Sequence, residues 1–350
     1  MTPEQGRALF PVLERLAYLN AGTFGPLARP TADAVRAEQE RDLAEGRFGK
    51  EDFERMLAYR VSAREALAGL VGARPEQVAL TGSTTDGCNI VLAGLGLTAG
   101  DEVVTTREEH FGLLGPVHAS GARVVVTDAD PDAILAAVTP RTRLLALSQV
   151  LWTTGRELPV RELRERAGVP VLVDGAQSVG AVAVDARGID FLTISGQKWL
   201  CGPDSTGGLA VADPERLRVA RPSYFSQAAY EETGSFEPAA GAARFDPGWI
   251  SSAALAGLVT AIGLRPDWAF ARAAEMTARC RELLAPLVEL VPGGATLVAF
   301  RSDDSAVCVE RLAEQGVVVR ELPGTGLVRV SCGWWTDEDD LERLASGVCA

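Results

Sequence analysis

Residues 190–208 read DFLTISGQKWLCGPDSTGG, with Lys198 near their centre. The run DFLTIS is short and apolar and opens into a Ser/Gly/Gln turn, which predicts a strand ending in a tight loop just before the lysine. The chain has 34 lysines and arginines, and only Lys50 and Lys198 are lysine. A protein that takes its surface charge from arginine has little general use for lysine. Lysine can lose its proton, become a nucleophile and form a Schiff base; arginine cannot. Lys198 therefore reads either as a surface residue in a loop or as the anchor of a cofactor aldehyde.

The flanking sequence alternates strand and helix. EVVTT at 102–106, ARVVVTD at 122–128, RLLALSQV at 143–150 and VPVLVDG at 169–175 are short apolar runs like DFLTIS. Helical segments such as PDAILAAV at 131–138 and VRELRERAG at 160–168 separate them. That rhythm predicts an α/β domain with a mainly parallel sheet, whose ligands sit beyond the C-terminal ends of the strands. Upstream, VALTGSTTDGCN predicts a strand ending at Thr81, a small polar turn and a helix beginning near Asp86. Such a turn leaves backbone N–H groups free for an anion, although Ser and Thr also serve there as ordinary helix caps. From about residue 215 a stretch rich in Gly, Pro and aromatics, RPSYFSQAAYEETGSFEPAAGAARFDPGW, reads as a long loop. Residues 251–289 read as two helices broken near Arg265-Pro266. The remainder, with ATLVAF, VVVR and GLVRVS as strands, reads as a smaller α+β domain. The expected division is 1–25 joining the small domain, 26–245 as the large domain and 246–350 as the small one.

Composition narrows the function. A net charge of −13 argues against a nucleic-acid partner. No apolar run is long enough to span a membrane, and the N-terminus lacks a signal-peptide pattern, so a cytoplasmic protein is expected. The six cysteines are scattered without a CxxC pair, and His110 and His118 are the only histidines. Neither a metal site nor a disulfide framework is expected.

If Lys198 holds pyridoxal 5′-phosphate, other groups are required. The GSTTDG turn offers a phosphate cradle, with Ser195 and Gln197 flanking the lysine. Asp174, at the end of VPVLVDG, is placed to pair with the pyridine nitrogen. Phe111 can stack on the ring, and Gln177 can reach the ring hydroxyl. Each has a structural alternative: a strand-end turn residue, a core aromatic, a helix cap. Their order at successive strand ends, with the lysine last, favours the shared site.

These pieces resemble the class V aminotransferase and cysteine desulfurase superfamily, fold-type I pyridoxal phosphate enzymes that include isopenicillin N epimerase-like proteins. The resemblance runs through YLNAGTFGPL (18–27), TGSTTDGCN (81–89), EEHFGLLGP (108–116), SQVLWTTGRELPV (148–160), VLVDGAQSVG (171–180), SGQKWLCGP (195–203) and RVSCGWWTDEDDLERL (329–344). It implies a large domain with a mainly parallel seven-stranded sheet plus a smaller C-terminal α+β domain. It implies that Lys198 forms the Schiff base and moves the Cα proton. Asp174 pairs with the pyridine nitrogen, and Gln177 meets the ring hydroxyl. Thr84, Thr85, Ser195 and Gln197 hold the phosphate, and Phe111 stacks. Arg329 receives the carboxylate of an amino-acid substrate, with Asn20 and Trp152 beside it. A homodimer with shared active sites is implied, with residues 244–249 reaching towards the partner.

The chain also departs from that pattern. The segment VVVRELPGTGLVR (317–329) has no cysteine, whereas desulfurases that accept sulfur carry one there. Phe111 stands where many relatives have His, and Trp249 where a small hydroxylic residue is usual. Trp152 and Trp334 are candidates to line the substrate pocket. The reaction expected is β-elimination, such as C–S cleavage, without a persulfide cysteine. Transamination and epimerisation remain open, and the near-complete residue set argues against a non-catalytic relative that only binds the cofactor or a partner. A nicotinamide enzyme is disfavoured because no GxGxxG follows the first strand.

Overall fold

Apolar runs flanked by helical spacing on both sides become strands buried on both faces, because helices cover each side of the sheet. The computed structural model describes residues 1–349. It opens with α1 (Pro3–Arg7) and β1 (Ala17–Tyr18), then the long helices α2 (Arg29–Glu45) and α3 (Gly49–Val71). The large domain continues through β2 (Val78–Thr81), α4 (Thr84–Leu95), β3 (Glu102–Thr106), α5 (Phe111–Ala119) and β4 (Arg123–Thr127). Next come α6 (Pro131–Ala136), β5 (Thr142–Ser148), α7 (Val160–Ala167), β6 (Val171–Asp174), β7 (Phe191–Ser195) and β8 (Gly207–Val211).

The seven strands lie in the order β2-β8-β7-β6-β5-β3-β4. Strand β8 runs antiparallel to both its neighbours, and the other pairings are parallel. Successive residues point to opposite faces. Val104, Leu145, Leu147, Val171 and Val173 thus meet α3, α7 and α8, while Val103, Leu144, Ala146 and Leu172 meet α4 and α5.

Residues 215–250, expected as a loop, contain an antiparallel hairpin of β9 (Gln227–Tyr230) and β10 (Phe236–Pro238). The hairpin is almost wholly exposed, so no alternation of apolar residues announced it. Helix α8 (Ser252–Leu264) then packs on α2 and α3 and joins the large-domain core through Leu255 and Leu258. Helix α9 (Ala269–Leu284) packs instead on the small-domain sheet. The packing therefore changes hands between α8 and α9 rather than at residue 246.

The small domain comprises β11 (Leu297–Arg301), α10 (Ser305–Glu314), β12 (Val317–Val318), β13 (Arg320–Leu322), β14 (Leu327–Ser331) and α11 (Glu338–Cys349). Strand β14 is central, between β11 and β13. Strand β1 pairs in parallel with β12, so the N-terminal segment lies against this domain. Among the described residues no helix is long and apolar enough to cross a membrane, and no group of three or more His, Cys, Asp and Glu is placed to hold a metal ion.

Candidate active site

Register brings the candidate residues to one edge. Thr81 and Ser195 both pair with Gly207, one from each side, so the ends of β2 and β7 flank the start of β8. Asp174 pairs with Thr193 on one side and with Ser148 on the other. The turns after β2, β6 and β7 therefore open on the same side of the sheet. Concavity alone would mislead: a cleft of about 600 Å³ beside α7, lined by Glu157, Arg161, Glu162 and Asp185, contains none of the predicted site residues.

The loop after β7 turns back sharply. The Cys201 N–H donates to the Lys198 carbonyl at 3.0 Å, with Cys201 itself in the left-handed region at φ 55°. The N-terminal turn lies on top, where the Gly25 N–H donates to the Gln197 carbonyl at 2.8 Å. A Cβ on Gly25 would meet the Lys198 carbonyl oxygen at 2.1 Å, which no side chain survives without moving the loop. Trp199, next to the lysine, is buried and donates through Nε1 to Gln177 Oε1 at 2.9 Å. Gln177 Nε2 donates to the Gly22 carbonyl at 2.8 Å. One amide N–H of Gln177 is left for a ligand.

Lys198 has neither a hydrogen bond nor an ion pair from its amine among the described residues. It is half-buried by surface area, yet burial is still the chief cause pushing its pKa down to about 8. Asp174 opposes that shift, and Arg329 adds to it. Asp174 is buried, and its Oδ1 accepts from the Ala176 N–H at 2.9 Å. Its Oδ2 takes no hydrogen bond among the described residues. At the start of α4, Ser83 caps the Asp86 N–H. The helix thus begins at Thr84, two residues before the expected Asp86. The N–H groups of Thr84 and Thr85 find no acceptor in the described chain, as the first turn of a helix requires unless an anion fills the place. Ser195 Oγ donates to Gln197 Oε1 at 2.7 Å, which leaves the Gln197 amide N–H groups free.

Phe111 is not where the ring-stacking role needs it. Its ring is 79% exposed and lies over Gly115, one turn further along α5. His110 faces the site instead. Its Nδ1 accepts from the Gly112 N–H at 3.0 Å and caps α5. Its ring meets the Trp152 ring edge-on, with centroids 5.1 Å apart. Burial lowers its pKa, Lys198 and Arg329 push the same way, and Asp174 opposes them. The step from cap to first helical residue turns one side chain inward and the next outward. Glu109, just before, is buried and fastens this segment to β5 by accepting from the Ser148 N–H and hydroxyl and from Thr106. Burial raises it to about 7 against the pull of those donors. Both residues stand in the EEH piece, at the strand end where polar candidates are expected, but the stacking role is expected of Phe111.

Arg329, on β14, is only 2% exposed and has no carboxylate partner among the described residues. Nη1 donates to the Trp152 carbonyl at 2.8 Å and Nη2 to Thr23 Oγ1 at 3.1 Å, while the Nε–H has no acceptor. Burial, with Arg320 across the strand pair, lowers its pKa to about 10, so it stays charged at neutral pH. Asn20 joins this end of the site through Thr23, whose hydroxyl donates to Asn20 Oδ1 at 2.8 Å. Trp334 does not line the pocket; it packs against Phe10, Trp268 and Trp335. Trp249 is 72% exposed beside Tyr224 and Phe225.

A lysine kept ready to lose its proton, an open carboxylate oxygen, free amides at a helix start and an arginine with no acid of its own are unmet demands around one space. Pyridoxal 5′-phosphate carries a group suited to each of the first three: an aldehyde, a ring nitrogen and a phosphate. On this sheet, at this edge, they define a fold-type I pyridoxal phosphate enzyme.

The chain belongs to the class V aminotransferase family: the profile described as Aminotransferase class-V matches residues 50–344. It is similar to isopenicillin N epimerase of Streptomyces clavuligerus, 30% identical over 99% of this chain and 98% of that protein. It is also similar to cysteine desulfurase CsdA of Escherichia coli strain K12, 27% identical over 99% of this chain and 96% of that protein. Among solved structures, the cystine C-S lyase C-DES in complex with its reaction product cysteine persulfide superposes with a TM-score of 0.90. The two are 27% identical, and the match covers 97% of this chain and 99% of that chain.

Proposed function

We propose that this enzyme cleaves a Cβ–S bond of a cysteine-derived amino acid by β-elimination, without passing sulfur to a cysteine of its own. The observation that carries this reading is His110. With Nδ1 occupied by the Gly112 N–H, the neutral ring keeps its proton on Nε2. That N–H stands at the site as a hydrogen-bond donor to a departing sulfur anion, a role that Phe111 could not fill. Bound pyridoxal phosphate supplies the electron sink that makes the substrate Cα–H acidic. Lys198, whose amine gives up its proton near pH 8, takes the Cα proton. Arg329 holds the substrate carboxylate through a two-pronged guanidinium. Asp174 keeps the ring nitrogen protonated, and the start of α4 with Gln197 holds the phosphate.

The cysteines support the absence of a persulfide step. Cys201 and Cys332, near the site in sequence, are buried, and burial raises the pKa of Cys201 far above the range of a reactive thiol. The epimerase relative supports a second reading, in which the proton returns to Cα from the face opposite Lys198. Product analysis separates the readings. Pyruvate and ammonia formed from L-cystine alone support elimination. Strict dependence on a keto-acid acceptor would sink it in favour of transamination, and inversion at Cα without loss of sulfur would sink it in favour of epimerisation. We also infer a homodimer. Phe48, Phe53 and Trp249 line a cleft of about 660 Å³, with exposed Tyr224 beside it, an aromatic face of the sort that a second copy covers.

A further inference from the structure

The turn Asn20–Gly25 touches both ends of the site. Towards the small domain, the Gly22 N–H donates to Ser331 Oγ at 3.2 Å, and the Ser331 N–H donates to the Leu19 carbonyl at 2.8 Å. Towards the large domain, the Gly22 carbonyl accepts from Gln177, and the Gly25 N–H donates to Gln197. Thr23 sits between these anchors and meets Arg329. Gly22 leaves room for the guanidinium; a Cβ there would stand 2.8 Å from Nη2.

A guanidinium has five N–H donors and no acceptor. Two of them are taken here, one on each Nη, by the Trp152 carbonyl and the Thr23 hydroxyl. Both acceptors are neutral, so they hold the group in place without spending its charge. The Thr23 hydroxyl can act as a pure acceptor towards Arg329 because its own proton goes to Asn20 Oδ1 at 2.8 Å. Three N–H groups remain, among them the Nε–H that has no partner.

We propose that Thr23, oriented by Asn20, is a positioning residue that fixes the plane of Arg329 for the substrate carboxylate. This inference rests on the reading of Arg329 as the carboxylate-binding residue. Without the hydroxyl, the guanidinium loses one of its two anchors, the one on Nη2, and settles where a carboxylate must pull it back.

The test uses the purified, cofactor-loaded enzyme and two small amines, glycine and methylamine, which differ by the carboxylate. Dissociation constants are read from the change in cofactor absorbance. Thr23→Val should weaken glycine about tenfold or more, the scale of one hydrogen bond to a charged group, and leave methylamine unchanged. Thr23→Ser should restore glycine binding to within about twofold of wild type. With L-cystine, KM should rise in Thr23→Val while kcat stays within about threefold. Arg329→Gln serves as the control. If it leaves the ratio of glycine to methylamine affinity unchanged, the carboxylate reading fails, and the Thr23 proposal with it. If Arg329→Gln lowers that ratio and Thr23→Val does not, Arg329 keeps its role and the positioning proposal is overturned. Equal weakening of both amines by Thr23→Val also overturns it, because a general distortion of the site would then be the cause.

Discussion

Glu109 and His110 are adjacent, and both act through burial. Glu109 is neutral in the folded chain over a range where it would be ionised in the unfolded chain. The folded state then binds the extra proton between about pH 4.5 and about 7. Stability from the neutral carboxyl is full below that window and is lost as pH rises through 7. Glu109→Gln removes this titration. Urea unfolding of the apoprotein should show the stability difference between wild type and variant shifting by up to about 3 kcal/mol between pH 4.5 and 7. It should stay flat above pH 8; a flat difference throughout would show that Glu109 ionises normally. His110→Phe tests this donor directly. The variant should keep its cofactor absorbance and lose about ten- to hundredfold in elimination kcat, the scale of one hydrogen bond to a charged group. Full activity would remove His110 from the chemistry. The EEH piece made both residues readable as polar groups at a strand end. Which of His110 and Phe111 turns inward depends on where α5 begins, and sequence boundaries are too coarse to place a single side chain.

Two elements fasten the site to the rest of the fold. The N-terminal turn presses on the lysine loop at Gly25, so Gly25→Ala should displace Lys198 without removing it. The expected result is a folded protein that loses most of its yellow cofactor absorbance, measured beside Lys198→Ala, which should lose the borohydride-sensitive band altogether. Normal loading by Gly25→Ala would show that the loop gives way harmlessly. The second fastening is Asp246, in the RFDPGW stretch. Its carboxylate accepts from Arg60 at 2.9 Å, from Arg64 at 2.7 Å and from the Leu80 N–H at 2.9 Å. All of these lie on α3 or β2, so the segment expected to reach a partner is tied first to its own large domain. Asp246→Ala leaves Arg60 and Arg64 without their acid and should cost about 3–5 kcal/mol in denaturant unfolding. A loss below about 1 kcal/mol would show that water replaces the carboxylate easily. Most helices and strands of both domains were readable because their apolar spacing is regular; β8, which opens on two glycines, was not read, and VVVR divides between β12 and β13. The exposed β9–β10 hairpin was not readable, because it buries too little to impose a pattern.

At the scale of the molecule, the open groups around Lys198 make the apoprotein incomplete. Pyridoxal phosphate binds the folded chain and not the unfolded one. At a hundredfold excess over its dissociation constant it should add about 2.7 kcal/mol of apparent stability. Thermal melts with and without the cofactor measure this, and Lys198→Ala should keep only the part that comes from the phosphate and ring contacts. The aromatic face predicts that sedimentation equilibrium finds a dimer, and that Trp249→Ala shifts it towards monomer. A wild-type monomer at micromolar concentration would refute the homodimer. The N-terminal segment belongs to both domains, and this follows from the pairing of β1 with β12 and from Gly25 lying against the lysine loop.

The sequence by itself determined the α/β class and brought Lys198 and Asp174 forward as candidates, because each sits at or just past a strand end whose spacing can be read locally; Arg329 came forward only through the family resemblance, and its burial is a tertiary fact. The tertiary structure alone decided the rest. His110 rather than Phe111 faces the cofactor space. Thr23 braces Arg329 from more than three hundred residues away. Helix α8 belongs to the large domain. These depend on contacts between segments distant in the chain, which local periodicity does not encode. Lys198 could be found as a rare lysine in a turn, but what it can do there is set by the groups the fold brings around it.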